Sequence, residues 1–306
     1  MPTLQQLKYL VALTETGHFR RAAEACHVTQ PTLSAQIKEL EAKLGAVLIE
    51  RTRARVVITP LGEEVAAHAR RALSEVEEIR SLATLNRGSL QSVIRVGVVQ
   101  SLGPYLLPLI VSDLHQSHPQ LKLYVREALA RDLISSLTTG SLDLLFFPLP
   151  IRQAECETRS LFREPLQVVL PRDHPFAEEE AIGPEMLQGE TILALERGHK
   201  LFEQVEQICE RYGARLSQDY SGTSLDTLRQ MCGMGMGLSV LPALYVKSEV
   251  AHQDIVVARP FRGAQPSRTI GMVWRQNTAR ESEYKELATE ISGILKRCAP
   301  EITVLG

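Results

Sequence analysis

The sequence contains no apolar run of the ~18 residues that a membrane-crossing helix needs. Its first residues, MPTLQQLKYL, hold no basic segment followed by an apolar one. That pattern is not a secretory signal, so a cytoplasmic location is expected. Cysteine is scarce: the five residues are scattered and odd in number. That usage suits a reducing compartment and excludes a disulfide scaffold. No CxxC pair and no His/Cys cluster has the spacing of a zinc site, so neither a metal nor a cofactor is expected. No nucleophile–base signature and no phosphate loop supports an enzyme.

With 306 residues, the chain is long enough for more than one core. Its net charge of −2 hides an asymmetry. Residues 1–60 hold eight Lys/Arg against five Glu, a net of +3, which leaves −5 for the rest. A basic N-terminal piece on an acidic body points toward nucleic acid, or equally to a solvated face.

The stretch LQQLKYLVALTETGHF places Leu4, Leu7, Leu10, Val11 and Leu13 at helical spacing until Thr16-Gly17 breaks it. A second helix is predicted at about Phe19–Cys26, with Ala22, Ala23 and Cys26 on one face as core. Thr29 is a good N-cap, and Pro31 falls in the first turn, where its missing N–H costs nothing. A third helix, about Gln30–Leu44, buries Leu33, Ile37, Leu40 and Leu44 and stops at Gly45. Two short helices joined by the tight turn HVT make a helix-turn-helix. The outer face of the third helix carries Gln30, Thr32, Ser34, Gln36 and Lys38, side chains suited to base edges and phosphates. VLIERTRARVVIT then reads as strand, basic turn, strand, a wing with Arg51, Arg53 and Arg55. From Pro60 a striped helix runs about 27 residues, through Leu61, Val65, Ala69, Ala72, Val76, Ile79 and Leu82. A helix of that length between two domains predicts a dimer seam.

The string GHFRRAAEACHVTQPTLSAQIKELEAKLGAVLIERTRARVVITPLGEE resembles the winged helix-turn-helix of LysR-type transcriptional regulators, and the likeness extends over the rest of the chain. The resemblance implies DNA contacts at Thr29, Gln30, Pro31, Thr32, Ser34, Gln36, Lys38, Arg51 and Arg53. The partners it implies are double-stranded promoter DNA, a small-molecule effector and RNA polymerase. The assembly it implies is a homotetramer, a dimer of dimers.

Beyond Val93 the pattern alternates strand and helix: VIRVGVV, GPYLLPLIVSDLHQSHP, LKLYVREA, ARDLISSLTTG, LDLLFFP. That alternation predicts a parallel sheet covered by helices. LQVVLPRDHP opens a second such unit, continued by the segments from Thr191 to Pro242 and by RTIGMVWR. The fold class is α/β with a helical, winged N-terminal module, a long linker helix and, by resemblance, a two-lobed periplasmic-binding-protein-like effector domain. The expected domains are 1–59 (DNA-binding), 60–88 (dimerisation helix) and 89–306 (effector-binding). Lobe one is expected at 92–162 and 268–298, and lobe two at 163–267.

Ligands in such folds bind at the carboxyl ends of strands. Ser101 follows one strand and is read as starting a helix, where hydroxyl and backbone N–H groups suit an anion, or where it is a plain N-cap. His199, Thr223 and Ser224 are expected to line the cleft from lobe two. Met231, Met234 and Met236, in GMGMGLSVLP, are read as core, with glycines that let a helix end press on the sheet.

The body resembles most the peroxide-sensing OxyR branch of the family. There, a cysteine directly after Gly-His is oxidised and forms a disulfide with a partner about nine residues on. In GHKLFEQVEQIC the partner position is Cys209, but Lys200 stands at the reactive place, and Ala130 stands where a peroxide-binding threonine is expected. A lysine cannot form the sulfenic acid, so the expected function is a regulator answering a small anionic metabolite, with Ala130 and Lys200 beside the effector. The alternative is oxidant sensing through Cys209 with or without Cys232, with Lys200 lowering a thiol pKa if the fold brings it close.

Overall fold

The computed structural model describes residues 1–51, 56–84, 90 and 92–305. The chain divides into two compact units near residue 87.

In the first unit, helix α1 (Leu4–Thr16) begins at a reciprocal cap in which the Thr3 hydroxyl accepts from the Gln6 N–H and the Gln6 amide accepts from the Thr3 N–H. It ends at Gly17, whose positive φ of 62° closes the helix. Helix α2 (Phe19–Ala25) buries Ala22 and Ala23, and Cys26 follows as its C-cap, half-buried against the core. The turn to the next helix passes through His27 in the left-handed region, and the Val28 N–H donates to the Ala23 carbonyl. Helix α3 (Gln30–Leu44) starts at Thr29, whose hydroxyl accepts from the Thr32 N–H, and ends at Gly45 with φ 66°. Leu33, Ile37 and Leu40 are fully buried, and each contributes about 1.5–3 kcal/mol of burial. Leu44 departs from the expected stripe: as the last residue of α3, before Gly45, it is exposed. Strands β1 (Ile49–Arg51) and β2 (Val56–Ile58) pair antiparallel as the predicted wing. Glu41 fastens them to α3 by accepting from the Leu48 and Ile49 N–H groups. Helix α4 (Pro60–Thr84) follows, with Thr59 receiving the Gly62 N–H. A side chain at Gly62 would collide with the Leu48 carbonyl, which accounts for glycine in TPLG. Along α4, Ala66 and Ala69 are buried, whereas Leu61 and Ile79 of the predicted stripe are exposed.

The second unit holds one continuous path of strands: β4 (Lys122–Ala128), β3 (Val93–Val99), β5 (Leu144–Leu149), β11 (Ser267–Arg275), β6 (Cys156–Pro171), β9 (Leu238–Pro242), β7 (Thr191–Leu195), β8 (Arg215–Gly222). Short strands β10 (Val256–Arg259) and β12 (Thr303–Val304) add to β6. The helices are α5 (Gly103–Ser117), α6 (Ala130–Thr138), α7 (Lys200–Tyr212), α8 (Leu225–Gly233), α9 (Ala243–Tyr245, continued by a π-turn to Val250) and α10 (Glu281–Cys298).

Two lobes result because β6 is shared. Its first part pairs β11 through Pro165↔Ser267, and from Leu166 it pairs β9 instead. Each lobe has its own core, one around Phe146, Phe147, Phe162 and Leu287, the other around Val168, Leu193, Leu228 and Tyr245. Within each lobe a set of strands runs parallel: β3 with β4 and β5, and β7 with β8 and β9. The first half of β6, from Cys156 to Glu164, has no expected counterpart, since its polar residues hide a strand.

The glycine-rich stretch after α8 is also clarified. A side chain at Gly237 would meet the Thr191 carbonyl at 2.7 Å, so the glycine permits the close approach to the sheet. Met231 and Met236 pack on the lobe-two core as expected. Met234 does not: it caps α8 and is 70% exposed.

Candidate functional site

In the first unit, the exposed side chains at the start of α3 are Thr29, Gln30, Pro31 and Thr32. Gln30, Ser34 and Lys38 recur every four residues and so share one side of the helix. The Thr29 and Thr32 hydroxyls lie 2.8 Å apart at the helix N-terminus, where the partial positive charge of the backbone favours phosphate. Gln36 is engaged inside the fold: its amide oxygen accepts from buried Gln6 and its amide nitrogen donates to Glu39. That tie holds α3 against α1. Arg53 and the side chain of Arg51 lie outside the described residues. Cys26 packs against the core, and burial pushes its thiol pKa up.

In the second unit, strand register gathers the predicted effector residues. Val99 pairs with Ala128, so Ser101 and Ala130 each follow by two residues the ends of neighbouring parallel strands. Leu195 pairs with Gly222 and the Glu196 N–H donates to the Gly222 carbonyl, so the segments leading to His199 and to Thr223 leave the sheet from adjacent strand ends. The two halves meet: the Cα substituent position of Gly198 lies 3.9 Å from the Leu129 side chain.

Ser101 is not an N-cap. Helix α5 starts two residues later, after Leu102, with no side-chain cap. The Ser101 hydroxyl and carbonyl instead accept from Arg268 Nη1 and Nη2, both at 2.9 Å. Arg268 Nε donates to Glu164 Oε2 at 2.8 Å, and Glu164 Oε1 accepts from the Leu244 N–H. Arg268 and Glu164 face each other in the β11–β6 register, and they are 1% and 0% exposed. A charge pair this deep is tolerated because each guanidinium nitrogen and each carboxylate oxygen has a partner. Sequence reasoning missed it, as it missed Gln204, whose buried Oε1 has no hydrogen-bond partner among the described residues.

His199 is the buried N-cap residue of α7, its ring making no cap bond and its Nε2 lying 4.0 Å from Glu196. Burial holds its pKa below the ordinary imidazole value, and Glu196 opposes this only in part. The folded protein therefore resists the proton that the unfolded chain accepts at about pH 6.5. The His199 contribution to stability is full above that pH and falls below it. A melting series from neutral to mildly acidic pH should show this loss, and His199→Gln should remove that part of the slope. An unchanged slope would contradict the assignment.

Lys200 is the first residue of α7 and donates to Glu203 at 2.7 Å. Ala130 opens α6 and presents only a buried methyl group. Thr223 and Ser224 are exposed, with Ser224 capping α8 through the Thr227 N–H. Cys209 lies nine residues along α7, roughly 13 Å from Lys200 by helical rise. Its thiol is buried and pushed up to about 11 by burial first and by Glu206 and Glu210 second. Lysine thus gives it no help. Cys232 is fully buried, donates to the Val169 carbonyl, and is raised to about 12 by burial.

Residues 4–63 match the family described as bacterial regulatory helix-turn-helix protein, lysR family, and residues 87–292 match the LysR substrate binding domain. The chain belongs to the LysR family. It is 40% identical over 289 residues to the DNA-binding transcriptional dual regulator OxyR of Escherichia coli K12, covering 94% of each chain. It is 31% identical to the HTH-type transcriptional regulator EstR of Acinetobacter baylyi, covering 97% of each. A full-length OxyR from Pseudomonas aeruginosa with a cysteine-to-aspartate substitution superimposes with a TM-score of 0.80 at 36% identity, over 97% of this chain and 95% of that one. This LysR-family regulator therefore belongs with the OxyR-like branch, as its motifs implied. Among the described residues, no helix is long and apolar enough to cross a membrane.

Proposed function

We propose that this LysR-family chain is a cytoplasmic transcription factor, without catalytic activity, that answers a small anionic metabolite at the lobe boundary. Gln30, Ser34 and Lys38, with Thr29, Pro31 and Thr32 at the helix start, read and hold promoter DNA. Arg51 and Arg53 of the wing take phosphates, and Gln36 contributes by fixing α3. Helix α4 pairs two chains, and two such dimers form the tetramer. Ser101, Ala130, His199, Lys200, Thr223 and Ser224 surround the effector. Its binding favours one lobe arrangement over another, which alters DNA spacing and contact with RNA polymerase.

One observation carries the signal reading: Lys200, ion-paired to Glu203, stands directly after Gly198-His199. No thiol occupies that helix start. A second reading is favoured by the likeness to OxyR of Escherichia coli. In it, the chain senses oxidants through Cys209, with or without Cys232. Burial supports the first reading, because a buried thiol with a raised pKa is a poor nucleophile toward peroxide. Peptide mapping after peroxide treatment of the native protein should find Cys209 and Cys232 unmodified, with labelling by a thiol reagent only after unfolding. A sulfenic acid or disulfide at Cys209 in the native protein would favour the second reading.

A further inference from the structure

Besides Arg268 and Lys200, a third cation lies at the lobe boundary: Arg229 on α8. It is 7% exposed. Its Nε donates to the Tyr245 hydroxyl at 3.2 Å, and that hydroxyl donates to Asp226 Oδ1 at 3.1 Å. Nη2 stands 3.6 Å from Asp226, beyond hydrogen-bond distance. Nη1 is buried and has no hydrogen-bond partner among the described residues.

The two other cations are engaged. All three nitrogens of the Arg268 guanidinium donate to Glu164 or Ser101, and Lys200 donates to Glu203. A buried guanidinium nitrogen left unmatched costs folding free energy, and native proteins match such groups with protein, water or ligand.

Three segments surround Arg229, and each follows a parallel strand. Tyr245 follows β9, α8 follows β8, and α5, which carries Tyr105, follows β3. The Tyr105 and Tyr245 rings meet edge to face at 5.0 Å, and Tyr105 packs on the cores of both lobes. The group thus sits where open α/β folds bind ligands. Asp226 is 56% exposed at its side chain, so one member of the cluster reaches solvent.

We infer that Arg229 Nη1 anchors one carboxylate of the effector, and that the acidic surroundings restrict the ligand to a small monocarboxylate. The restriction comes from Asp226, whose carboxylate stands 3.6 Å from Arg229 Nη2. A second negative group on the ligand meets repulsion there. A guanidinium suits a carboxylate better than an ammonium because its planar donors match the two oxygens. This inference rests on the reading of the lobe boundary as the receptor for a small anion.

The test is calorimetric titration of the full-length chain with acetate, benzoate and L-alanine, against succinate and citrate. At least one monocarboxylate should bind saturably and the polyanions weakly. Arg229→Gln should weaken that binding at least about tenfold, the loss of one charge-assisted hydrogen bond. Asp226→Asn, at a solvent-exposed side chain, should strengthen succinate binding relative to the monocarboxylates. If Arg229→Gln does not fold, Arg229→Lys, which keeps the charge but not the planar fork, should show the same loss. Binding that survives both Arg229 variants and fails in Lys200→Ala would overturn the role of Arg229 and leave the anion reading standing. Absence of binding by every compound would overturn the anion reading and this inference together.

Discussion

Arg268→Ala should destabilise the effector domain by about 3–5 kcal/mol, because it leaves the buried Glu164 carboxylate without its charge partner. Glu164 is fully buried, and its other oxygen already serves the Leu244 N–H. For a domain of this size, ~2–4 °C of melting temperature follows each kcal/mol, so the transition should fall by roughly 6–20 °C. The double variant Glu164→Leu with Arg268→Met should recover much of that loss, since a buried pair replaced by apolar groups of similar volume is often neutral. The same substitution frees the Ser101 hydroxyl, which Arg268 now holds. Thermal melts of the three proteins decide the matter. A single variant within about 1 kcal/mol of the parent would show that the pair does not secure the lobe junction.

Gln30→Ala should weaken binding to the cognate site by about 1–3 kcal/mol and relax preference at one base pair. Gln30 is the first residue of α3, exposed, and followed on the same side by Ser34 and Lys38. Titration against sites substituted one base pair at a time, at fixed salt, reads this directly. Lys38→Ala provides the contrast: weaker binding to all sequences and a salt slope lower by about one. Unchanged site preference in Gln30→Ala would remove it from base reading.

The DNA-binding unit was legible in the sequence because its punctuation is local. Thr29, Pro31 and Gly45 mark the ends of α3, and Leu33, Ile37 and Leu40 repeat at helical spacing. The apolar parallel strands were legible from their Val/Ile/Leu runs, such as VIRVGVV, whereas β8, with its polar RLSQDYSG, was not. What escaped depends on distance along the chain. Arg268 and Glu164 are 104 residues apart, and no local pattern announces that two adjacent strands bring them face to face. The polar half of β6 escaped because its pairing comes from β11, far downstream. Ser101 was read as starting a helix, as an anion contact or a plain N-cap, whereas the chain turns through Leu102 before the helix begins. Of the proposed effector residues, strand register explains only why Ser101 and Ala130, and the turn before His199 and Thr223, follow the ends of adjacent parallel strands. Arg229 escaped because its unmatched donor is a property of packing, not of spacing.

The central claim is that this OxyR-like chain binds DNA as a regulator but takes its signal without the peroxide disulfide. A DNase footprint of the reduced protein on the DNA upstream of its own gene, with and without micromolar peroxide, tests it most directly. The account predicts a protected region whose length and position do not change with peroxide. A footprint that shortens or shifts with peroxide, and ceases to respond in Cys209→Ser, would contradict it and place the signal on the thiol.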